Sequence, residues 1–195
     1  MRSRFIAALL ALAATVFVVA CAPSAPVFTN TDITGANFGH DFKLLDPDGK
    51  SRSLADFRGQ AVMIFFGFTQ CPDVCPTALL RAMEVRKLLK EDADKLKVIF
   101  ITVDPERDSP ELLKTYTAAF DADFLGLYSD TAEGTKKVAD DFRVFYRKVP
   151  TGGSYTMDHT ATRYVFDPQG RLRLAVSHQS PAESIANDVR QLLAG

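Results

Sequence analysis

Cysteine and histidine are scarce in this chain, and its charges nearly balance. The 195 residues include three cysteines and three histidines, and the formal net charge is -1. An iron-sulfur cluster needs more cysteines than this, and structural zinc usually takes four cysteine or histidine ligands. Nucleic-acid-binding domains usually carry a basic patch or stripe, for which this charge balance gives no indication. These scarcities argue against an iron-sulfur protein, a structural zinc domain and a DNA- or RNA-binding protein.

Long hydrophobic runs are also rare, and the one at the N-terminus is short. Arg2 and Arg4 precede an uninterrupted run of small and apolar residues from Phe5 to Ala20. A membrane-spanning helix needs about 20 strongly apolar residues, which this Ala-rich run does not supply. A charged start followed by such a run is typical of an export signal. We therefore predict that residues 1–20 form a signal peptide.

The end of the apolar run indicates how the chain is anchored. The sequence Val18-Val19-Ala20-Cys21 resembles the lipobox of bacterial lipoproteins, in which the cysteine is acylated and becomes the mature N-terminus. We expect a lipid on Cys21, and the alternative is an uncleaved anchor helix with an incidental cysteine. Both interpretations place the rest of the chain in the bacterial cell envelope, membrane-anchored on the periplasmic side.

The segment after Cys21 has no apolar periodicity and is rich in Ala, Pro, Ser and Thr. Such a composition is typical of a linker. We predict a lipidated N-terminus and flexible tether over residues 21–34. The remaining residues, 35–195, show no internal repeat and are expected to form one domain with its own core.

Two continuous apolar runs, at 61–68 and 96–103, have the length and composition of strands buried on both faces of a parallel sheet. Ser109 followed by Pro110 is a typical helix start. The remaining predicted elements are a hairpin around 46–49, helices near 76–90, 110–120, 132–142 and 181–193, a strand near 124–128, and a hairpin of 162–166 with 172–176. This order predicts an α/β protein of thioredoxin-like fold, with a central mixed sheet flanked by helices.

The chemistry of the chain is expected at Cys71 and Cys75, which follow the first buried strand. In open α/β sheets, sites form outside the carboxyl ends of the strands. We expect the regular helix to begin at Pro76, so that both sulfurs face a helix N-terminus, where the dipole stabilises thiolate. A disulfide closing so few residues would constrain the unfolded chain little. The pair is therefore expected to be a redox couple or a metal site, because thiolates select soft ions such as Cu(I) or zinc.

His159 separates these two possibilities. Thioredoxin-type reductases use a Cys-x-x-Cys spacing and a cis-proline opposite the dithiol. Here the spacer is three residues long, and the segment from Met157 to Ala161 has a histidine and no proline. An imidazole brought across to the two sulfurs would complete a three-ligand site. Asp104 follows the second buried strand, and Asp158 precedes His159. Both are candidates for groups that orient the metal ligands by hydrogen bonding to them.

Three motifs, in order along the chain, strongly resemble those of the Sco/SenC family of copper chaperones for cytochrome c oxidase assembly. They are Phe66-Gly67-Phe68-Thr69 leading into Cys71-Pro72-Asp73-Val74-Cys75-Pro76, Thr102-Val103-Asp104-Pro105-Glu106-Arg107-Asp108, and Tyr155-Thr156-Met157-Asp158-His159. The match runs from about Phe42 to the end, with Thr160 where the family commonly has Ser. The resemblance implies a thioredoxin-like domain in which Cys71, Cys75 and His159 bind copper, as Cu(I) or Cu(II).

The resemblance also implies a function outside catalysis. A metallochaperone of this family takes part in building the dinuclear copper centre of the oxidase subunit that faces the periplasm. The expected partners are that copper-accepting subunit, other periplasmic copper chaperones or thiol-disulfide reductants, and the membrane. The alternative is a thiol-disulfide reductase that keeps the oxidase cysteines reduced. A copper or redox sensor is a further alternative. A peroxidase is disfavoured, because Thr69-Gln70-Cys71 lacks the Thr-x-x-Cys spacing of peroxiredoxins.

Overall fold

The structure, a computed structural model, describes residues 26–195. The predicted signal peptide and Cys21 lie outside this range, as does the first part of the predicted tether. Among residues 26–195, none of the helices combines the length and apolar character needed to cross a bilayer.

Ten strands are present in the described part of the chain. They are β1 (Thr31–Asp32), β2 (Leu44–Leu45), β3 (Ser51–Arg52), β4 (Ala61–Gly67), β5 (Leu96–Thr102), β6 (Leu125–Leu127), β7 (Tyr146–Thr151), β8 (Ser154–His159), β9 (Arg163–Phe166) and β10 (Leu172–Val176). Six of them form the central sheet in the order β1-β10-β9-β4-β5-β6, and the pairs β2-β3 and β7-β8 form two separate hairpins.

Within residues 26–195, four α-helices flank the sheet. They are α1 (Val74–Leu89), α2 (Pro110–Ala118), α3 (Ala132–Asp141) and α4 (Ala182–Ala194), with short 3-10 segments at Leu54–Phe57 and Lys90–Lys95. Helix α1 packs beside α4. Phe142, which ends α3, packs against Phe66, Tyr164 and Phe166 of the sheet. This mixed sheet flanked by helices confirms the predicted α/β, thioredoxin-like class.

Strand β4 is at the centre of the sheet and of the core. It pairs parallel with β5 from Ala61↔Leu96 to Gly67↔Thr102, and antiparallel with β9 on its other side. All seven of its residues are buried, which explains why its sequence is continuously apolar. Because β4 and β5 are parallel and in this register, their carboxyl ends meet at one edge. The loops that follow Gly67 and Thr102 therefore lie side by side.

The predicted helices are present, but α1 begins at Val74 and not at Pro76. The first four N–H groups of a helix have no partner within the helix, so a proline at the third position removes no hydrogen bond. The predicted cap of α2 is confirmed, because the Ser109 side chain accepts a hydrogen bond from the backbone N–H of Leu112. Helix α1 thus includes Cys75, and Cys71 lies in the turn before it.

The β7-β8 hairpin is absent from the sequence prediction. Its fourteen residues carry charged and polar side chains on both faces, and Pro150 lies within β7. The hairpin pairs only with itself, so no half-buried face imposes an apolar alternation on it. As a result His159 is the last residue of a strand, whereas the sequence placed it in the loop before β9.

The N-terminal end of the described chain is packed onto the domain. The Asp188 carboxylate, which is fully buried in α4, accepts hydrogen bonds from the backbone N–H of Thr29 and of Asn30, at 2.9 and 2.8 Å, and from the Asn30 side chain at 2.7 Å. Strand β1 then adds to the edge of the sheet next to β10. The predicted tether boundary at residue 34 is therefore too late, because residues 29–34 are held by the domain.

We expect Asp188→Ala to release this N-terminal segment. Two backbone N–H groups lose a carboxylate acceptor, which corresponds to about 1–3 kcal/mol of unfolding free energy. Limited proteolysis followed by mass spectrometry should show cleavage near residues 29–34 at a much lower protease concentration than in the wild type. Asn187→Ala, an exposed neighbour on the same helix, is the matched control. Equal protection of both variants would contradict the role assigned to Asp188.

Candidate metal centre

Cys75 is seated against the end of β4. It is the second residue of α1 and is fully buried. A Cβ built on Gly67 would lie 2.7 Å from Cys75 Sγ and 2.8 Å from the Phe100 ring. Real Cβ atoms essentially never approach other atoms so closely, so only glycine at this position lets the sulfur reach the strand. The glycine of the Phe-Gly-Phe sequence before the cysteines is therefore required for steric reasons.

Cys71 lies in the turn before α1 and is partly exposed. Its Sγ accepts a hydrogen bond from the backbone N–H of Cys75 at 3.4 Å, which places it at the N-terminus of the helix. A hydrogen bond from the Cys75 thiol is the main cause that lowers the pKa of Cys71, to about 3, and contacts with His159 and the Asp73 amide lower it further. Cys71 is therefore a thiolate at neutral pH.

Cys75 responds in the opposite direction. Its hydrogen bond to the Cys71 sulfur, reinforced by burial, raises the pKa of Cys75 above the ordinary thiol value. The two sulfurs share one hydrogen bond, so a negative charge on one favours the proton on the other. In this arrangement Cys71 is the charged, accessible sulfur and Cys75 the protonated, buried one. Both cysteines are free in the structure.

His159 reaches the sulfurs from the end of β8. Its Nε2 lies 3.5 Å from Cys75 Sγ, and its Nδ1 lies 3.0 Å from the carbonyl oxygen of Thr160. A carbonyl oxygen only accepts hydrogen bonds, so Nδ1 carries a proton and Nε2 is the nitrogen that faces the sulfurs. Phe65 and Phe68 pack against the ring in T-shaped geometry, with centroid distances of 6.0 and 5.8 Å.

The three predicted metal-site residues come together. The ligand atoms of Cys71, Cys75 and His159 all lie within 4.8 Å of one another. A cavity of about 190 Å³ opens beside them, between the Cys71 turn and the end of β8, and its lining includes Pro72, Val74 and Ala161. The group is thus within reach of the surface on the side of Cys71 and is enclosed on the side of Cys75.

Asp108 holds the loop that carries Cys71 against the end of β5, a role that the sequence did not reveal. The buried Asp108 carboxylate accepts hydrogen bonds from the Thr69 backbone N–H at 3.0 Å, from the Thr69 hydroxyl at 2.6 Å and from the Thr102 hydroxyl at 2.6 Å. Burial raises the pKa of Asp108, and these hydrogen bonds oppose that effect. Asp108 therefore joins the end of β5 to the segment between β4 and Cys71.

The two acidic residues expected behind the ligands occupy different positions. The Asp104 carboxylate is buried and accepts hydrogen bonds from the Tyr155 hydroxyl at 2.8 Å and from Arg107 Nε at 2.5 Å. Asp158 is exposed and forms an ion pair with Arg147 of β7 at 3.3 Å. Asp104 thus contacts the strand that carries His159 but not the imidazole, and Asp158 faces solvent. Cys21, the predicted lipidation site, lies outside the described residues.

Most of the supporting groups had a signal in the sequence. Asp104, Arg107 and Asp108 all belong to the motif after β5, and Tyr155 belongs to the motif that ends at His159. The motifs indicate that these residues serve the same site, but they do not predict which of them form hydrogen bonds with each other. The partner of each depends on the pairing of β4 with β5 and on a hairpin that the apolar pattern did not predict.

The donor set fits copper. Two sulfurs and one imidazole nitrogen are soft and borderline donors, which Cu(I) and Cu(II) accept, whereas structural zinc sites usually take four protein ligands. A thiolate is already present at Cys71, and a metal ion can displace the proton from Cys75. Nε2 of His159 is free of backbone hydrogen bonds and directed at the sulfurs.

Comparison with known proteins agrees with this geometry. The family model described as SCO1/SenC matches residues 30–194. The human mitochondrial SCO2 homolog is 37% identical over 158 residues, which cover 79% of this chain and 59% of that protein. The solved structure of Bradyrhizobium japonicum ScoI with copper bound has 43% identity and a TM-score of 0.71, and the match covers 80% of this chain and 98% of that one.

A SCO1/SenC family lipoprotein from Bacillus anthracis is more distant in sequence, with 25% identity, but has the same TM-score of 0.71 over 85% of this chain and 99% of that one. The family match covers nearly all of the described residues, including both cysteines and the histidine. This chain belongs to the SCO1/SenC family.

Proposed function

We propose that this protein is a membrane-tethered copper chaperone that holds copper through Cys71, Cys75 and His159 and delivers it to the dinuclear copper centre of cytochrome c oxidase. The observation that carries the proposal is the convergence of two sulfurs and one imidazole nitrogen within 4.8 Å at a partly exposed position. Copper is the cargo and not the agent of a reaction, so the proposed role is not enzymatic.

The two sulfurs suit the uptake and release of copper because their environments differ. Cys71 is a partly exposed thiolate, so it can meet an incoming ion first. Cys75 is buried against Gly67 and releases its proton when the ion binds. An accepting thiolate from a partner can approach the ion through the cavity beside Cys71. Transfer then proceeds by exchange of one ligand at a time, without any covalent or redox step.

The partners follow from the family. The copper-accepting subunit of cytochrome c oxidase is the proposed recipient, and other periplasmic copper chaperones or thiol-disulfide reductants would load the protein or keep its thiols reduced. The copper-bound ScoI relative supports the cargo. The proposed place of action is the periplasmic side of the bacterial membrane, with Cys21 as the lipid attachment site. The relative described as a lipoprotein supports that anchor.

One observation favours a second candidate function, a thiol-disulfide reductase acting on the oxidase cysteines. An accessible thiolate next to a buried thiol is the arrangement that disulfide exchange requires. Cys71 would attack a partner disulfide, and Cys75 would release the mixed disulfide. The partner gains two thiols while Cys71 and Cys75 are oxidised to a disulfide. His159 has no necessary part in this chemistry.

The substitution His159→Ala separates the two functions. Cu(I) is satisfied by two thiolates, whereas Cu(II) prefers further ligands and accepts imidazole. We expect Cu(II) affinity to fall by roughly tenfold or more, with a changed visible spectrum, and Cu(I) affinity to change much less. Oxidase activity should be lost in a deletion strain complemented with the variant. The measurements are metal competition titrations, absorption spectra and oxidase assays.

His40→Ala is the matched control, because His40 is an exposed histidine located away from the three ligand atoms. It should behave as the wild type in every assay. Near-wild-type oxidase activity together with an unchanged Cu(II) spectrum in His159→Ala would defeat the chaperone proposal and favour the reductase.

The low pKa of Cys71 predicts selective alkylation. In copper-free, reduced protein, iodoacetamide should modify Cys71 at a rate that stays nearly constant from pH 5 to pH 8, because the thiolate persists down to a pKa of about 3. Cys75 should remain unmodified. In Cys75→Ala the main hydrogen bond to the Cys71 sulfur is gone, so the pH midpoint of Cys71 alkylation should rise. A midpoint of Cys71 near that of an ordinary thiol, about 8.5, in the wild type would contradict the assignment.

The proposed anchor is tested by mass spectrometry of the protein purified from its membrane. We expect a mature chain that begins at Cys21 and carries acyl groups. Cys21→Ser should abolish acylation and leave the copper site unchanged. Recovery of chains that retain residues 1–20, or of an unmodified Cys21, would contradict the lipoprotein proposal without affecting the copper proposal.

A further inference from the structure

The histidine ligand is mounted on a separate piece of structure from the cysteines. Cys75, in the first turn of α1, is fixed in the core against β4, whereas His159 ends a two-stranded hairpin that does not pair with the central sheet. Met157 is the one buried residue of that hairpin. The distance between His159 and the sulfurs therefore depends on what holds the hairpin against the domain.

The base of the hairpin is closed by two hydrogen bonds. The Thr160 backbone N–H donates to the Phe145 carbonyl at 2.9 Å, and the Phe145 backbone N–H donates to the Thr160 hydroxyl at 3.0 Å. Both bonds join the two ends of the hairpin to each other. They leave open the angle at which the hairpin meets the sheet.

Arg107 supplies the missing connection. Its side chain is 16% exposed and lies in the loop after β5. Nη1 donates to the Tyr155 carbonyl of β8 at 2.7 Å and to the Gln70 side chain, next to Cys71, at 3.2 Å. Nε donates to the Asp104 carboxylate at 2.5 Å. One guanidinium thus contacts the hairpin, the Cys71 turn and the end of β5.

The hairpin and the loop after β5 are also joined by stacking and by a second hydrogen bond. The Arg107 guanidinium lies 3.7 Å from the centroid of the Tyr155 ring. The Tyr155 hydroxyl donates to the other oxygen of the Asp104 carboxylate, at 2.8 Å. Asp104, Arg107 and Tyr155, which we name the latch, therefore form a closed cycle in which each residue contacts the other two. Only a planar, forked cation can stack and donate in this way at once.

We propose that Arg107, acting with Asp104 and Tyr155, positions His159 over the two sulfurs and so determines whether copper has a third ligand. This inference rests on the proposed function, in which the three residues bind copper. Arg107 is a positioning residue and touches no ligand atom of the site. Its substitution should separate Cu(II) binding, which uses the imidazole, from Cu(I) binding, which the two thiolates satisfy.

Met157 anchors the hairpin to the core, but the ion pairs of the hairpin are too exposed to fix its angle. Lys148 pairs with Glu106, and Arg147 pairs with Asp158 within the hairpin, but all four side chains are 44–65% exposed. Exposed ion pairs contribute little, typically below about 1 kcal/mol. The buried Asp104, at 1% exposed, and the stacked Arg107 are the polar contacts that water cannot replace.

The test compares Arg107→Met with Arg147→Met. Each substitution removes one positive charge near the site, but Arg147 lies on the solvent side of the hairpin. Loss of a positive charge alone favours binding of a cation, so weaker Cu(II) binding cannot arise from charge. We expect Cu(II) affinity of Arg107→Met to be about tenfold or more below that of Arg147→Met, and Cu(I) affinity to lie within about threefold. The measurements are competition titrations and Cu(II) absorption spectra of the full-length protein.

A second readout does not depend on copper. In the copper-free protein, amide hydrogen exchange of residues 156–159 should be at least about tenfold faster in Arg107→Met than in Arg147→Met, while β4 and β5 remain protected. Arg107→Lys keeps the charge but lacks the planar fork, so it should show the same losses. This variant also keeps the proposal testable if Arg107→Met does not fold.

The outcomes distinguish the two proposals. If His159→Ala loses Cu(II) affinity while Arg107→Met and Arg107→Lys match Arg147→Met, the latch is wrong and the copper site stands. If His159→Ala binds Cu(II) as the wild type does, the proposed ligand set is wrong, and the role of the latch in copper binding falls with it. Loss of Cu(II) affinity in both His159→Ala and the Arg107 variants, with faster exchange in the hairpin, supports the latch.

Discussion

The site depends on how closely Cys75 approaches the end of β4. The absence of a side chain at Gly67 lets the sulfur lie against the strand, where any Cβ would be 2.7 Å from it. That contact fixes the first turn of α1. The backbone N–H of Cys75 in this turn then donates a hydrogen bond to Cys71 Sγ. The hydrogen bond, the low pKa of Cys71 and the enclosure of Cys75 are consequences of this single close approach. A larger residue would have to displace the helix or the Phe100 ring.

The asymmetry of the two sulfurs makes one site suitable for both binding and release. A pair of equally exposed thiolates would repel each other and oxidise readily, and a pair of buried thiols would not be reached by an ion. Here one hydrogen bond gives the charge to Cys71 and the proton to Cys75. Burial raises the pKa of both cysteines, but at Cys71 the hydrogen bonds outweigh it. The same asymmetry serves copper exchange and disulfide exchange, which is why the cysteines alone do not separate the two functions.

The sequence predicts a strand or helix correctly where its apolar pattern or its capping residues alone determine the local structure. Strands β4 and β5 were predicted because burial on both faces demands continuous apolar runs, and α2 was predicted from its Ser109-Pro110 start. The β7-β8 hairpin was not, because its surroundings are mostly solvent and leave no periodic trace. Its Gly152-Gly153 pair, a turn signal between the strands, was the available clue. The convergence of the three ligands came from motif resemblance and chemistry, whereas the contacts of Asp104 required the sheet register to be known.

The division of the ligands between the core and the hairpin implies an order of events for the proposed chaperone. Movement of a core-bound cysteine would require repacking of α1 against β4, because protein interiors are close-packed. Movement of the hairpin requires the latch to release the Tyr155 hydroxyl, carbonyl and ring, and Met157 to leave the core, but it leaves the packing of α1 against β4 in place. We therefore expect the imidazole to withdraw from a bound ion before the core-bound Cys75 does. When it does, Cu(I) is left on two thiolates, one of which, Cys71, faces the cavity through which a partner's thiolate can approach. A third ligand on a hairpin outside the central sheet would thus let the proposed chaperone hold copper with three residues and release it stepwise.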